Sequence, residues 1–134
     1  MSKPEAATEK VSVNMNVSTL SSIDLLVDEG YYSNRSDFIN QAVREAVMRH
    51  QPTIEIIRAN ASMIRSLQWC LGLYNITPDM LKRISPDDPI TLRVYGLLTI
   101  DKDCDENWLF ACVKSITVRG KVIASDTVKA HYGL

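Results

Sequence analysis

The chain lacks several features that would assign it to a common class of protein. Its longest apolar window is interrupted by Arg65, Gln68 and Asn75, far short of the roughly 20 apolar residues that a membrane span needs. Its 3 cysteines form no C-x-x-C pair, so neither a disulfide framework nor a zinc site is indicated. The first ten residues are polar and carry no apolar segment of a secretory signal, so we expect the protein in the cytoplasm.

Motifs of catalysis and phosphate binding are also missing. The sequence contains no H-E-x-x-H, G-x-x-x-x-G-K or G-x-G-x-x-G pattern and no recognisable Ser-His-Asp set. The two histidines, His50 and His131, each stand alone at the end of a predicted helix. These absences predict a protein that is not an enzyme and that binds neither a metal nor a cofactor.

Nor does the chain carry the basic excess of a sequence-independent nucleic-acid binder. The formal net charge is -1, and up to Pro52 five basic residues stand against seven acidic ones. If this part binds DNA, a few well-placed groups and helix N-termini must therefore supply the affinity.

A strand pattern is present near the N-terminus. Apolar and polar residues alternate over seven positions, which is typical of a half-buried strand. The period of two separates the apolar Val11, Val13, Met15 and Val17 from the polar Lys10, Ser12, Asn14 and Asn16.

Two amphipathic helices are predicted after this strand. Asn16 or Ser18 is suited to cap the first helix, and Gly30 is suited to end it. Ser33 is predicted to cap the second helix, which Pro52 ends or interrupts. The apolar stripes are Leu20, Ile23, Leu26 and Val27 in the first helix, and Ile39, Ala42, Val43, Ala46 and Val47 in the second.

A lone strand predicts an obligatory homodimer. Its backbone donors and acceptors would stay unpaired within one chain, whereas the same strand from a second copy, antiparallel about a two-fold axis, would pair them. This pairing would bury both apolar strand faces against four helices. The predicted dimer core comprises Val11, Val13, Met15, Leu20, Ile23, Val27, Ile39, Val43 and Val47.

The order of strand, helix and helix from Glu9 to about His50, with the turn from Gly30 to Ile39, resembles the ribbon-helix-helix family of the CopG and Arc type. The resemblance implies a prokaryotic DNA-binding regulator whose two-stranded ribbon enters the major groove. It also implies that the second helix presents its N-terminal amides to a DNA phosphate.

The family's contacts carry over to two groups of residues. The resemblance implies that Lys10, Ser12 and Asn14 contact base edges, and that Ser33, Asn34 and Arg35 contact a DNA phosphate. Asn can pair with adenine N6 and N7, and Lys can bond guanine or a phosphate. Asn14 and Asn16 depart from the family, which often has Arg and Pro there.

Residues 53–134 are predicted to form a small α/β domain. An apolar stripe from Ile54 to Leu71 predicts one long helix ending near Gly72. Similar segments starting at Ile90 and Ile116, each rich in strand formers around a glycine, predict two β elements. Two such segments are too few to establish a repeat architecture.

Three further helices are predicted in this region. Thr77 is suited to cap a short helix that begins with Pro78, and Ser125 is suited to cap the last helix. Between the two β elements, residues 105–115 are interpreted as a helix.

The predicted fold class is therefore α+β in three parts. Residues 1–8 form a flexible arm, residues 9–51 form a ribbon-helix-helix module for DNA binding and dimerisation, and residues 53–134 form a domain for assembly or an effector. The expected partners are double-stranded DNA and further copies of the chain as a dimer, tetramer or higher oligomer. A protein partner or a small effector of the C-terminal domain stays open, and no membrane is expected.

The leading functional hypothesis is a sequence-specific transcriptional repressor. One alternative is an antitoxin that regulates its own operon and binds a toxin through its C-terminal part. Another is a plasmid-maintenance or architectural DNA-binding protein. Trp69, Trp108 and the predicted strands favour an ordered C-terminal domain, and thus the regulator over an antitoxin with a disordered tail.

Overall fold

The computed structural model describes residues 8–134, so the predicted arm at residues 1–8 lies almost entirely outside the described part of the chain. The chain mixes helices and strands and divides into two compact units, Lys10–Ile57 and Arg58–Leu134. No described helix is long and apolar enough to cross a membrane. The boundary between the units lies after Ile57, inside a helix.

The first unit contains helix α1 (Val17–Asp28), whose two predicted ends are present. Of the two candidate caps, Asn16 is the one used, because its side-chain oxygen accepts a hydrogen bond from the Ser18 amide at 2.8 Å. Gly30 has a φ of +86° and its amide donates to the Val27 carbonyl at 3.0 Å. A left-handed residue therefore ends the helix, as predicted.

Helix α2 (Arg35–Arg49) is capped by Asn34, and the prediction of Ser33 was wrong by one residue. The Asn34 Oδ1 atom accepts from the Asp37 amide at 2.8 Å, and the Asp37 carboxylate accepts from the Ser33 amide at 3.0 Å. This reciprocal arrangement satisfies two amides at once, which a cap at Ser33 would not. The hydrogen bond from the Ser33 amide also lowers the pKa of Asp37.

The segment before α1 differs from the predicted strand. Residues 8–16 have no regular secondary structure, and Val17 belongs to α1. A strand is defined by hydrogen bonds to a neighbouring strand, and residues 8–134 offer none at this segment. The cap at Asn16 places Val17 in the first turn of the helix.

Helix α3 (Gln51–Ser62) follows α2 after His50 alone. Pro52 lies at its second position, where a missing amide costs no intrahelical hydrogen bond. The predicted continuation of this helix to Gly72 was wrong, because Leu67–Ile76 is a strand. Apolar residues in that segment fit a helical stripe and a strand about equally well, and pairing with a neighbouring strand decides the outcome.

The second unit is built on a parallel three-stranded sheet in the order β1-β2-β3. Strand β1 (Leu67–Ile76) precedes the two predicted β elements, which are β2 (Ile90–Ile100) and β3 (Val113–Ile123). Each strand leads into a short helix, and these helices are α4 (Pro78–Lys82), α5 (Glu106–Cys112) and α6 (Asp126–Tyr132).

The remaining predictions concern the caps and the lengths of these helices. Thr77 caps α4 and Ser125 caps α6, as predicted. The helix predicted for residues 105–115 is shorter than expected, because β3 begins at Val113.

A glycine recurs every 24 residues in the strands of the sheet. The repeat comprises three strands, whereas the sequence predicted two β elements. Gly72 pairs with Gly96, and Gly96 pairs with Gly120, so the three glycines form one row across the sheet. All three have positive φ, and a Cβ atom added to Gly96 or Gly120 would overlap the carbonyl oxygen of the preceding glycine. Only glycine allows this backbone conformation and this close approach together.

The second unit has one hydrophobic core, and one face of the sheet contributes side chains to it. Leu92, Val94 and Leu98 of β2 are fully buried, and Leu81, Leu109 and Val128 of the helices pack into the same cluster. No polar or charged side chain of the described residues is buried. Burial raises the pKa of both Cys104 and Cys112, which are unpaired thiols.

Candidate nucleic-acid interface

The three predicted base-contacting residues lie in the segment that precedes α1. Lys10, Ser12 and Asn14 are all exposed, and the segment is fixed at its end by the cap at Asn16. Ammonium, hydroxyl and amide groups thus alternate with apolar side chains along one exposed stretch. These groups offer both donors and acceptors to base edges.

The apolar side chains of the same segment are exposed as well. Val11 is 76% exposed and Val13 is 73% exposed. With Met15 they line an open groove of about 530 Å³, whose other walls are Leu20, Arg35, Ile39 and Val43. Exposed apolar surface of this kind marks an interaction site.

Helix α2 shares this exposure. None of its 15 residues is buried, although Ile39, Val43 and Val47 form one apolar stripe. Of the nine residues predicted for the dimer core, Ile23 is buried in the single chain. Most of the apolar stripe on α2 is therefore not buried within the first unit.

The turn between α1 and α2 is held by ring packing and an ion pair. Tyr32 and Phe38 meet edge to face with ring centroids 4.8 Å apart, whereas Tyr31 is exposed. Arg35 donates from Nε and Nη2 to the two carboxylate oxygens of Asp24 at 2.7 and 2.8 Å. This bidentate pair raises the pKa of Arg35 and lowers the pKa of Asp24.

The ion pair with Asp24 involves one of the residues predicted to contact a DNA phosphate. Arg35 is predicted to contact a DNA phosphate, and in the free chain its guanidinium joins α1 to α2. No local pattern predicts this pair, because Asp24 lies 11 residues earlier and the turn between the helices brings the two together. The amides of Arg35 and Ser36, in the first turn of α2, form no hydrogen bond within the described chain.

Free amides at this position of a helix are suited to bind an anion. Amides at a helix N-terminus point outward along the helix axis, and the helix dipole favours negative charge there. Asn34 organises this end through its cap, and the side chain of Ser33 bonds the Asp37 carboxylate. The carboxylate of Asp37 in the same turn is engaged by Ser33 and by the Gln41 side chain.

The residues that the structure describes include no group of three or more His, Cys, Asp or Glu side chains placed to hold a metal ion. The acidic residues near the start of α5 have structural partners instead. Asp105 caps α5, and Glu106 accepts a hydrogen bond from the Ser125 hydroxyl at 2.9 Å.

Comparison with known families extends the likeness beyond the first unit. The model of the Ribbon-Helix-Helix transcriptional regulator family matches residues 6–129, which includes the sheet as well as the first two helices. No curated protein and no solved structure matches the chain. Since the match covers most of the sequence, the chain belongs to the ribbon-helix-helix family of DNA-binding transcriptional regulators.

Proposed function

We propose that the protein is a sequence-specific transcriptional repressor that binds its operator as a homodimer. The observation that carries this proposal is the exposure of Val11 and Val13 over an open apolar groove, in a segment without a strand partner. Antiparallel pairing of residues 10–16 from two copies would satisfy the backbone and cover both grooves. Lys10, Ser12 and Asn14 would then lie together on the outer face of one ribbon.

The ribbon would read the major groove through these three side chains. Asn14 is the best candidate for base discrimination, because its amide can bond both N6 and N7 of adenine. Lys10 can reach guanine O6 or N7, or a phosphate. Ser12 can donate or accept, and so it discriminates weakly.

The N-terminus of α2 would position the dimer on the DNA backbone. The free amides of Arg35 and Ser36 can bind one phosphate, and the cap at Asn34 supports that contact. Ser33 would join it if its side chain turned from the Asp37 carboxylate to the phosphate. In this proposal Arg35 contributes mainly through its amide, since Asp24 engages two of its guanidinium nitrogens.

Replacement of Asn14 tests the reading role. We expect Asn14→Ala to weaken binding to the operator by about 1–3 kcal/mol and to leave binding to random DNA almost unchanged, since one bidentate base contact is lost. Binding titrations on both DNAs at one salt concentration provide the measurement. Asn60→Ala, an exposed Asn of α3, is the matched control. An equal loss on both DNAs would remove Asn14 from the reading surface.

The second unit favours a regulator over an antitoxin. An antitoxin tail that folds on its toxin would have little core of its own. Here residues 58–134 contain a sheet and a buried cluster. A plasmid-maintenance or architectural protein would use the same DNA contacts over arrays of sites, and footprint length on genomic DNA distinguishes that role from repression at single operators.

A further inference from the structure

Strand β1 forms an edge of the sheet that carries no protection against pairing. It hydrogen-bonds to β2 on one side, and no strand of the described chain lies on its other side. Its ten residues, Leu67–Ile76, include no charged residue and no proline. Natural edge strands usually carry charges, prolines or bulges that prevent another strand from adding to them.

The opposite edge of the sheet has that protection. Strand β3 carries Lys114, Arg119 and Lys121 within Val113–Ile123. Two copies of β3 would therefore bring like charges together, whereas two copies of β1 would bring none. This charge difference between the edges points to β1 as the edge that accepts a second copy of the chain.

The outward side chains of β1 are apolar and open at its centre. Leu71 is 45% exposed and Leu73 is 65% exposed. The guanidinium carbon of Arg58 lies 5.4 Å from the centroid of the Trp69 ring, so the first part of the strand is covered while its centre is not. Two leucines on one open strand form a patch that an identical strand would complement.

At the β1 edge, the glycine row leaves space for the backbone of an added strand. At Gly96 and Gly120 the missing side chain makes space for the carbonyl of the preceding strand. Gly72 has a similar positive φ, and no atom lies within 4 Å of the place where its Cβ would be. The space that a neighbouring strand fills at the other two glycines is thus open at the edge.

We propose that β1 pairs antiparallel with β1 of a second copy, about a two-fold axis that passes through Gly72. Opposite residues of an antiparallel pair point to the same face, and this register places Leu71 opposite the partner's Leu73. The two copies would bury four leucines on the outer face and join two three-stranded sheets into one of six strands. A two-fold contact, taken by itself, closes at two copies.

This contact is separate from the ribbon of the proposed function, and it gives the second unit a role. A chain with both contacts links ribbon dimers into higher assemblies of even number. Linked dimers bind adjacent operator sites with avidity, which depends on the spacing of those sites.

The test uses the full chain with the ribbon disabled by Val13→Pro. Sedimentation over a range of concentrations is expected to show a dimer held by β1. Addition of Leu71→Lys and Leu73→Lys is expected to raise the dissociation constant at least about tenfold, because each lysine meets another lysine across the pair. Ile123→Lys, on the protected edge and 49% exposed in the native chain, is the matched control and should leave the dimer unchanged.

A charge-matched variant tests the register. Leu71→Lys combined with Leu73→Glu, in the same Val13→Pro background, would place opposite charges across the proposed pair and should restore much of the lost affinity. Far-ultraviolet circular dichroism verifies that every variant folds.

A Val13→Pro chain that stays monomeric at all concentrations would overturn the proposal. The chain would also stay monomeric if the β1 edge bound a different protein, so that alternative is excluded by the expected dimer. A charge-matched chain as weak as the two-lysine chain would overturn it as well. If Val13→Pro instead leaves the size of the wild-type assembly and its DNA binding unchanged, the ribbon is refuted while the β1 contact stands.

Discussion

The glycines of the sheet lie where a larger residue would be strained or would collide with backbone. Gly96 lies at the centre of the glycine row, with a φ of +138° and the Gly72 carbonyl on the side where a Cβ would project. Any other residue there meets both a strained backbone and an occupied space.

We therefore expect Gly96→Ala to destabilise the second unit strongly. Strain at positive φ costs about 1–2 kcal/mol, and the collision with backbone adds about 1–3 kcal/mol more. Urea unfolding followed by tryptophan fluorescence measures the loss. Gly72→Ala is the control, because it has a φ of +123° but open space. Both are compared in the background of Leu71→Lys and Leu73→Lys, which removes any contribution from β1 pairing.

The same comparison shows which effect dominates. A loss at Gly96 that is no larger than the loss at Gly72 would mean that backbone strain alone accounts for the glycines. The close approach of the strands would then not require them.

Tyr132 joins α6 to α5 and β3 through its hydroxyl group. The hydroxyl donates to the Val113 carbonyl at 2.8 Å and lies 3.2 Å from the Leu109 carbonyl. Burial, with a smaller contribution from Cys112, raises the pKa of Tyr132 from 10.0 to about 12. A phenolate could not donate to either carbonyl, so the folded state holds its proton more tightly than the unfolded state does.

This difference predicts an alkaline loss of stability. A raised pKa in the folded state means that the contribution of Tyr132 is complete below pH 10 and is lost as the pH rises towards 12. Tyr132→Phe is expected to cost about 1–2 kcal/mol of unfolding free energy at neutral pH. The variant should lose less additional stability than the native chain between pH 9 and about pH 11.5.

Unfolding curves at several pH values check this prediction. Tyr31→Phe serves as the control, since Tyr31 is 73% exposed and should give a profile like that of the native chain. Parallel pH profiles for Tyr132→Phe and the native chain would assign the alkaline loss to other groups, of which the buried thiols are the first candidates.

The N-terminus of helix α2 carries both the helix cap and the proposed phosphate site. Asn34 accepts a hydrogen bond from the Asp37 amide, which fixes the first turn and leaves the amides of Arg35 and Ser36 directed outward. The cap therefore stabilises the helix and organises the proposed phosphate site at once.

Replacement of the cap should affect both properties. We expect Asn34→Ala to lower helix stability by about 1 kcal/mol and to weaken binding to operator and random DNA alike, because a phosphate contact carries no sequence information. Asn34→Ser retains a capping oxygen and should behave nearly like the native chain. Thermal unfolding and binding titrations give the two readouts. Selective loss of operator binding in Asn34→Ala would contradict a backbone contact.

At the scale of the whole molecule, the proposed contacts divide between the two units. The proposed ribbon and the α2 N-terminus lie within Lys10–Ile57, and the β1 edge lies within Arg58–Leu134. The family match spans both, so the sheet belongs to the shared pattern of the family.

We predict that a fragment of residues 1–57 dimerises and selects the same operator sequence as the full chain. Its affinity for two adjacent sites should be lower by roughly 10²–10⁴-fold, because the avidity supplied by linked dimers is lost. Titrations of both proteins on one site and on two sites measure this difference. Retention of the full two-site affinity by the fragment would show that the second unit does not link dimers.

Features that depend on near neighbours along the chain could be predicted from the amino-acid sequence. The caps at Asn16, Thr77 and Ser125 and the end of α1 at Gly30 follow from side-chain chemistry within a few residues, and they are present. The same local order carried the resemblance to the family, which the comparison confirmed.

Tertiary structure decided what depends on distant partners. Leu67–Ile76 has apolar residues that suit a helix or a strand, and its pairing with β2 over the glycine row made it a strand. Arg35 faces Asp24 because a turn brings two helices together, which no spacing in the sequence reveals. Hydrogen bonds between strands and ion pairs between helices join residues far apart in the chain, so only the folded structure selects among the patterns that local sequence permits.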